Sequence, residues 1–454
     1  PPAEDNQDYL DEKSADKRKR LVQELLTGPN YVMNSTSFWR KVLIPEADTN
    51  FNIRFMMPGF EAWLRQRLDE NKSYDDLVKE ILTTPVAGVS PFQNGNNLTP
   101  VAFYQSKEIK PENLAAATSR MFLGIRIECA QCHDHPFDTW EQKDFWGYAA
   151  FFAAMQRQRR NAGFLSQLQE LFTRRSLKVP GTDEVVKATY LTGESPQIPG
   201  GSSARLTLAE WVTSRDNPYF ARAAANRVWG HFFGIGIVDP VDDFSDSNPP
   251  SHPELLDLLA KELVEHDFDM KFLVRAITAS RTYQLSSAVR SKDDDTNPRL
   301  FSRMAVKGMT AEQLYDSLAQ AAGTHETFDQ AQQSRFGATQ RSRFVEQFSD
   351  TSSPPTERQT SVLQALSMMN GRLVTDATAL ESSRTLAGVI DFPGFTNARR
   401  IEALFLATLN RRPRPEELDR FLKYVESASS EKPDKALSDV FWILLNSSEF
   451  SLNH

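Results

Sequence analysis

Residues 128–140 read ECAQCHDHPFDTW and hold the only two cysteines of a 454-residue chain. Cys129 and Cys132 stand three apart with His133 directly behind. Two thiols at this spacing can add across the two vinyl groups of a porphyrin, and the histidine that follows then lies beneath the iron as its ligand. This chemistry assigns Cys129, Cys132 and His133 to a single haem c. Zinc is the competing metal, with Cys129, Cys132, His133 and His135 as a four-ligand set. Four ligands within seven residues crowd the ion. His231, His252 or His266 could complete a site from elsewhere, but none sits in a paired knuckle. A structural thiol pair or a local disulfide is the bland alternative.

The rest of the turn adds candidates. His133, His135 and Asp138 are the metal-ligating candidates, and His135 could also transfer protons. Its short tether keeps His135 from the haem face opposite His133. A distal ligand must therefore come from far along the chain, with His231, His252, Met368 and Met369 as candidates. Each also has a structural reading: helix packing for His231, capping for His252, core filling for the methionines. Phe137, Trp140, Phe145, Trp146 and Tyr148 either wall a haem or fill the core, while Asp138 serves equally as a helix cap.

A second polar cluster, VDPVDDFSDSN, offers Asp239, Asp242, Asp243, Asp246 and Asn248 as hard oxygen ligands for calcium. It lacks the glycine-turned twelve-residue loop, so a solvated loop is the rival reading. The segment 293–298 reads as a polar turn. Signatures of nucleophilic, zinc-protease or phosphate-loop chemistry are missing from the sequence.

The elements that must position these residues are mostly helical. Phe60, Trp63, Leu64 and Leu68 share one face, and Leu77, Val78, Ile81 and Leu82 form the stripe of a helix opened by Ser73 and Asp76. PENLAAATSRMFLGIRIE reads as a helix running straight into the cysteine motif, and Thr139 with Gln142 as a capping box for the helix behind it. Between 161 and 205, LKVPGTDEVVKATYL predicts a β-hairpin and GESPQIPGGSS a linker. Later helices begin at LTLAEWVTS and NPYFARAAANRVWGHFFG, the latter with Gly234 as its C′ glycine. Ser251 with Glu254 predicts a capping box for the next. Further helices follow to the end, and about 325–356 reads as a long exposed loop. The expectation is a mainly α, two-domain protein with a minor β-hairpin: residues 1–160, a linker over 161–205, and a helical domain over 206–454.

Composition sets outer limits. A charge of −8 argues against nucleic acid as the main partner. Mean hydropathy is −0.47, and the apolar run 148–155 is far too short for a membrane span. The opening PPAEDNQ lacks a starting Met, so we expect an export signal to have been removed.

FLGIRIECAQCHDHPFDTWEQKDFWGYAAFF resembles the planctomycete cytochrome c-like domain, with its CxxCHDHPFD core and following aromatic helix. NPYFARAAANRVWGHFFGIGIVDPVDDFSDSNPPSHPELLDLLA resembles the planctomycete-specific domain that follows it, as do SRTYQLSS, TSVLQALSMMNG, LNRRPRPEEL and LLNSSEFSLNH. The resemblance implies an exported cytochrome-like protein, with haem on Cys129, Cys132 and His133. It also implies association with sulfatase-like proteins and polysaccharide breakdown. The expected function is redox: electron transfer to a separate partner protein, or haem c-dependent oxidoreductase chemistry near a glycan. The competing class is a glycan-binding or hydrolytic protein using zinc or calcium at the CxxCHDHPFD turn. A third is a structural partner without metal.

Overall fold

A computed structural model describes residues 3–86, 98–157, 168–288, 297–324, 340–348, 362–428 and 433–453. The chain is mainly helical, with small two-stranded antiparallel sheets. Two compact units emerge. The larger holds Val22–Leu285 and Val289–Arg303, and the smaller holds Pro1–Leu21, Ser286–Ala288 and Met304–His454.

In the larger unit the periodic stripes are buried as the sequence predicts. Helix Met57–Asp69 buries Phe60, Trp63, Leu64 and Leu68. Helix Tyr74–Thr83 buries Leu77, Val78, Ile81 and Leu82. The hairpin pairs Ser176–Lys178 with Val185–Lys187, and Gly234 ends helix Phe220–Phe233 in the left-handed region. The segment 161–205 lies inside this unit. Its described part is pinned to both flanks. Phe151, Tyr190 and Trp211 stack at 5.2 and 4.7 Å. Arg205, on helix Ala204–Val212, donates to the carbonyls of Leu82 and Thr84 (3.1 Å each), to Tyr104 Oη (2.9 Å) and to the Glu170 carboxylate. A buried guanidinium needs all these acceptors to offset its lost hydration. The residues on either side of the linker therefore share one core.

Several local expectations change. The helix before the cysteines stops early: Pro111–Thr118 passes into a π-helical turn, Ser119–Leu123, capped by Gly124 at φ +72°. The Thr139–Gln142 capping box does not form. Glu141 is the N-cap of helix Gln142–Ala149, and its N–H donates to Asp144 Oδ2 at 2.9 Å. Gln142 is drawn away because its side chain serves the cysteine turn. Ser251 is not a cap either. Its hydroxyl donates to Ile237 O at 3.1 Å, and His252 begins helix Pro253–Glu265.

The smaller unit has its own core, with Leu386, Ile401, Leu404, Phe405, Val425, Leu437, Val440 and Phe441 at its centre. The loop expected over 325–356 contains a helix, Gln340–Phe348, that buries Phe344 and Phe348. The remainder of that stretch lies outside the described residues, as does most of 293–298. No helix among the described residues is long and apolar enough to cross a membrane.

Candidate functional site

The cysteine motif folds as a 3-10 turn, Glu128–Gln131, with Cys132 as its C-terminal cap. Both thiols are free and exposed. Ala130 points inward and is fully buried, so the turn is anchored at its centre while the cysteines face solvent. The helix behind holds the turn from below. Trp146 Nε1 donates to Gln131 O at 3.0 Å, and Gln142 Nε2 reaches both Gln131 O and Cys132 O at 3.2 Å. These contacts satisfy carbonyls that a short turn leaves without intrahelical partners.

The histidines divide by their bonds. His133 Nδ1 lies 2.7 Å from Asp134 O. A carbonyl only accepts, so Nδ1 carries the proton and Nε2 keeps its lone pair for a ligand. His135 is arranged the other way. Its Nδ1 accepts from Phe137 N at 3.3 Å, which puts the proton of the neutral ring on Nε2 and leaves no ready ligand nitrogen. Its backbone N–H closes the loop to Trp140 O at 2.8 Å. Asp134 Oδ1 accepts from Gln142 N at 2.9 Å, and Asp138 Oδ1 from Thr139 N at 2.7 Å. Asp138 thus shapes its own turn rather than capping a helix. Burial and then the Asp138 charge push the Tyr219 phenol above its ordinary pKa.

Among the described residues, no three His, Cys, Asp or Glu side chains gather in a group that could hold a metal ion. His133, His135 and Asp138 share the turn without forming such a group. For haem the attachment chemistry fits: two accessible thiols and an imidazole with a free Nε2 on one anchored turn. Of the aromatics, Phe145, Trp146 and Tyr148 fill the core, whereas Phe137 stands 80% exposed at the tip of the turn.

The distant histidines keep structural surroundings. His231 packs on Phe38 at 4.3 Å between ring centroids, and His252 Nδ1 pairs with Ser251 Oγ at 3.1 Å. His266 stacks on Phe272 at 3.5 Å. Met368 is buried and Met369 half exposed within the smaller unit.

The acidic segment takes a role that sequence reasoning missed. Asp242 Oδ1 accepts from Arg126 Nε (3.2 Å) and Nη2 (2.5 Å), and its Oδ2 lies 3.7 Å from Arg120 Nε. Burial opposes the charge on Arg126, but Asp242, Asp243 and Glu128 outweigh it and raise its pKa above the ordinary value. Phe244 N donates to Gly124 O at 2.8 Å. Asn248 Nδ2 donates to the carbonyls of Asp239 and Asp243, and Asn226 Nδ2 to Val238 O. Buried Arg227 donates to Arg120 O and Met121 O, both at 3.3 Å. Of the residues read as calcium ligands, Asp242 thus ties the acidic segment to the irregular segment 124–127 that leads into the cysteines, together with the Phe244 N–H. Gly124 in FLGIR was the available sequence signal, as a helix-ending glycine. Nothing local announced its partner Phe244.

The two segments joined by this clamp each match a family. Residues 1–157 match PSCyt2, "Protein of unknown function (DUF1549)", and residues 204–425 match PSD1, "Protein of unknown function (DUF1553)". No curated protein and no solved structure matches the chain. With both domains present and in this order, the chain belongs to the planctomycete-type proteins that pair PSCyt2 with PSD1.

Proposed function

We propose that this chain is an extracytoplasmic, cytochrome-like redox protein carrying one haem c on Cys129 and Cys132, with His133 as the iron ligand. The observation supporting this reading is the anchored turn itself, which offers two free, exposed thiols and an imidazole whose Nδ1 is committed to Asp134 O. Bound haem supplies one-electron chemistry. The chain's residues would attach it, orient His133 through Asp134, and hold the turn through Gln142 and Trp146. Exposed Phe137 offers apolar surface beside the motif for the macrocycle to cover.

Electron transfer to a separate partner is the role we favour, because both attachment residues lie at the protein surface, where a redox protein can approach. The link to sulfatase-like partners and polysaccharide breakdown rests on the family resemblance.

The test is expression with the cytochrome c maturation machinery, followed by intact mass and absorption spectra. We expect a mass gain of one haem, a Soret band and reducible α and β bands, all abolished in the Cys129→Ala/Cys132→Ala variant. His133→Ala should leave attachment possible but change the iron's spectrum. Apo mass and no Soret band, despite competent maturation, would sink the proposal. Stoichiometric zinc or calcium in that apo sample would favour a metal-dependent glycan-binding or hydrolytic protein.

A further inference from the structure

The two thiols have a second chemistry that needs no cofactor. We propose that Cys129 and Cys132 form a reversible dithiol–disulfide couple that exchanges with low-molecular-weight disulfides such as glutathione disulfide. This goes beyond the haem reading and does not rest on it. It concerns the chain before anything is attached, and a disulfide and two thioethers exclude each other on the same sulfurs.

Three features carry it. The first is spacing. Cys132 N donates to Cys129 O at 3.4 Å across the turn, which places the two Cα atoms one tight turn apart, below about 7 Å. Unstrained disulfides span about 4.4–6.8 Å between Cα atoms. The second is restraint. Buried Ala130 fixes the centre of the turn, and Trp146 and Gln142 hold the carbonyls of Gln131 and Cys132. Because the backbone between the sulfurs is ordered before they react, closing the ring loses little further chain entropy. The third is access without competition. Both thiols are exposed, and the chain has no other cysteine with which to form a wrong pair.

The step balances as ordinary exchange. One cysteine thiolate attacks a sulfur of glutathione disulfide, forming a mixed disulfide and releasing one glutathione thiolate. The second cysteine loses its proton and attacks the protein sulfur of that mixed disulfide. The S–S bond between Cys129 and Cys132 forms, and the second glutathione thiolate leaves. The protein loses two electrons and two protons. The electrons reduce one glutathione disulfide to two thiols, which take up the protons.

The experiment uses full-length protein made without cytochrome maturation. It is equilibrated over a series of reduced-to-oxidised glutathione ratios, acid-quenched, alkylated and weighed intact. We expect one transition between the doubly alkylated dithiol and an unalkylated species two hydrogens lighter. Mixed glutathione adducts should stay below about a tenth of the protein. In denaturant the same couple should become at least about tenfold less prone to close, because the turn no longer holds the sulfurs together. Gln142→Ala, which removes one turn restraint without touching the thiols, should weaken closure by about threefold to tenfold in the folded protein. Glutathione adducts on both cysteines would overturn the proposal, as would a dithiol unchanged at every ratio. Equal closure in folded and denatured chains would overturn the assigned role of the turn. Success or failure of haem attachment moves none of these readouts.

Discussion

Replacing Gly124 by alanine tests the clamp between the acidic segment and the segment 124–127 leading into the cysteines. Two costs follow from the coordinates. Gly124 sits at φ +72°, where an L side chain costs about 1–2 kcal/mol. A Cβ there would also lie 2.6 Å from Phe244 Cδ2 and 3.3 Å from Ala223 Cβ. Relieving such overpacking costs about 1–3 kcal/mol, because the bond from Phe244 N–H to Gly124 O holds the two backbones together and leaves only the Phe244 ring to move. The expected loss is therefore about 2–5 kcal/mol, read as a lowered urea midpoint by tryptophan fluorescence. Six of the seven tryptophans lie in the larger unit, so the signal reports mainly on the part perturbed. A double-mutant cycle with Phe244→Ala separates the costs. The double variant should be more stable than the two single losses predict, by about 1–3 kcal/mol, with the backbone cost remaining. Gly124→Asn should behave in the opposite way, easing the backbone while keeping the clash. A Gly124→Ala protein within about 0.5 kcal/mol of the parent, or strict additivity with Phe244→Ala, would refute the clamp.

Three further outcomes follow. Arg205→Ala strands the buried Glu170 carboxylate and should cost about 3–5 kcal/mol in chemical unfolding; an unchanged midpoint would show that Arg205 does not tie the linker into the core. Lys107, paired with Glu46, is pulled by burial to about 8 from 10.5. The folded chain thus holds fewer protons at this group than the unfolded chain between those values, and its contribution to stability rises with pH across that window. Relative to Lys107→Met, the parent should gain up to about 3 kcal/mol over the window, and parallel stability–pH curves would contradict this. Hydrogen bonding to Arg411 holds Glu417 down at about 2. Its stabilisation of the smaller unit should be complete above the ordinary carboxylate value and disappear as pH falls toward 2. Hydrogen exchange of peptides spanning 401–440 should show that acid loosening in the parent and much less of it in Glu417→Gln.

Much of the scaffold was legible in the residues. The stripes at Phe60–Leu68 and Leu77–Leu82, the hairpin near 176–187 and the Gly234 helix end are local features, set by periodicity of 3.6 or 2 and by the backbone freedom of glycine. The spacing CxxCH likewise named the reactive atoms and placed them on one short turn. The capping boxes were misread because Gln142 bonds the carbonyls of Gln131 and Cys132, Ser251 bonds Ile237 O, and Thr139 bonds the neighbouring Asp138, and a sequence pattern cannot weigh a cap against such competing partners.

The sequence alone thus determined which atoms can react and which helices carry them, since thiol chemistry, imidazole chemistry and helical periodicity are properties of neighbours along the chain. Only the tertiary structure decided what holds them. Asp242 is 116 residues from Arg126, yet their charges meet, so one residue of the acidic segment holds the segment leading into the cysteines. Within the turn, the folded backbone divided His133 and His135 by proton placement: His133 faces the Asp134 carbonyl and keeps Nε2 free, whereas His135 faces the Phe137 N–H and does not. Hydrogen-bond polarity depends on which group folding brings opposite, and residue type alone does not contain it.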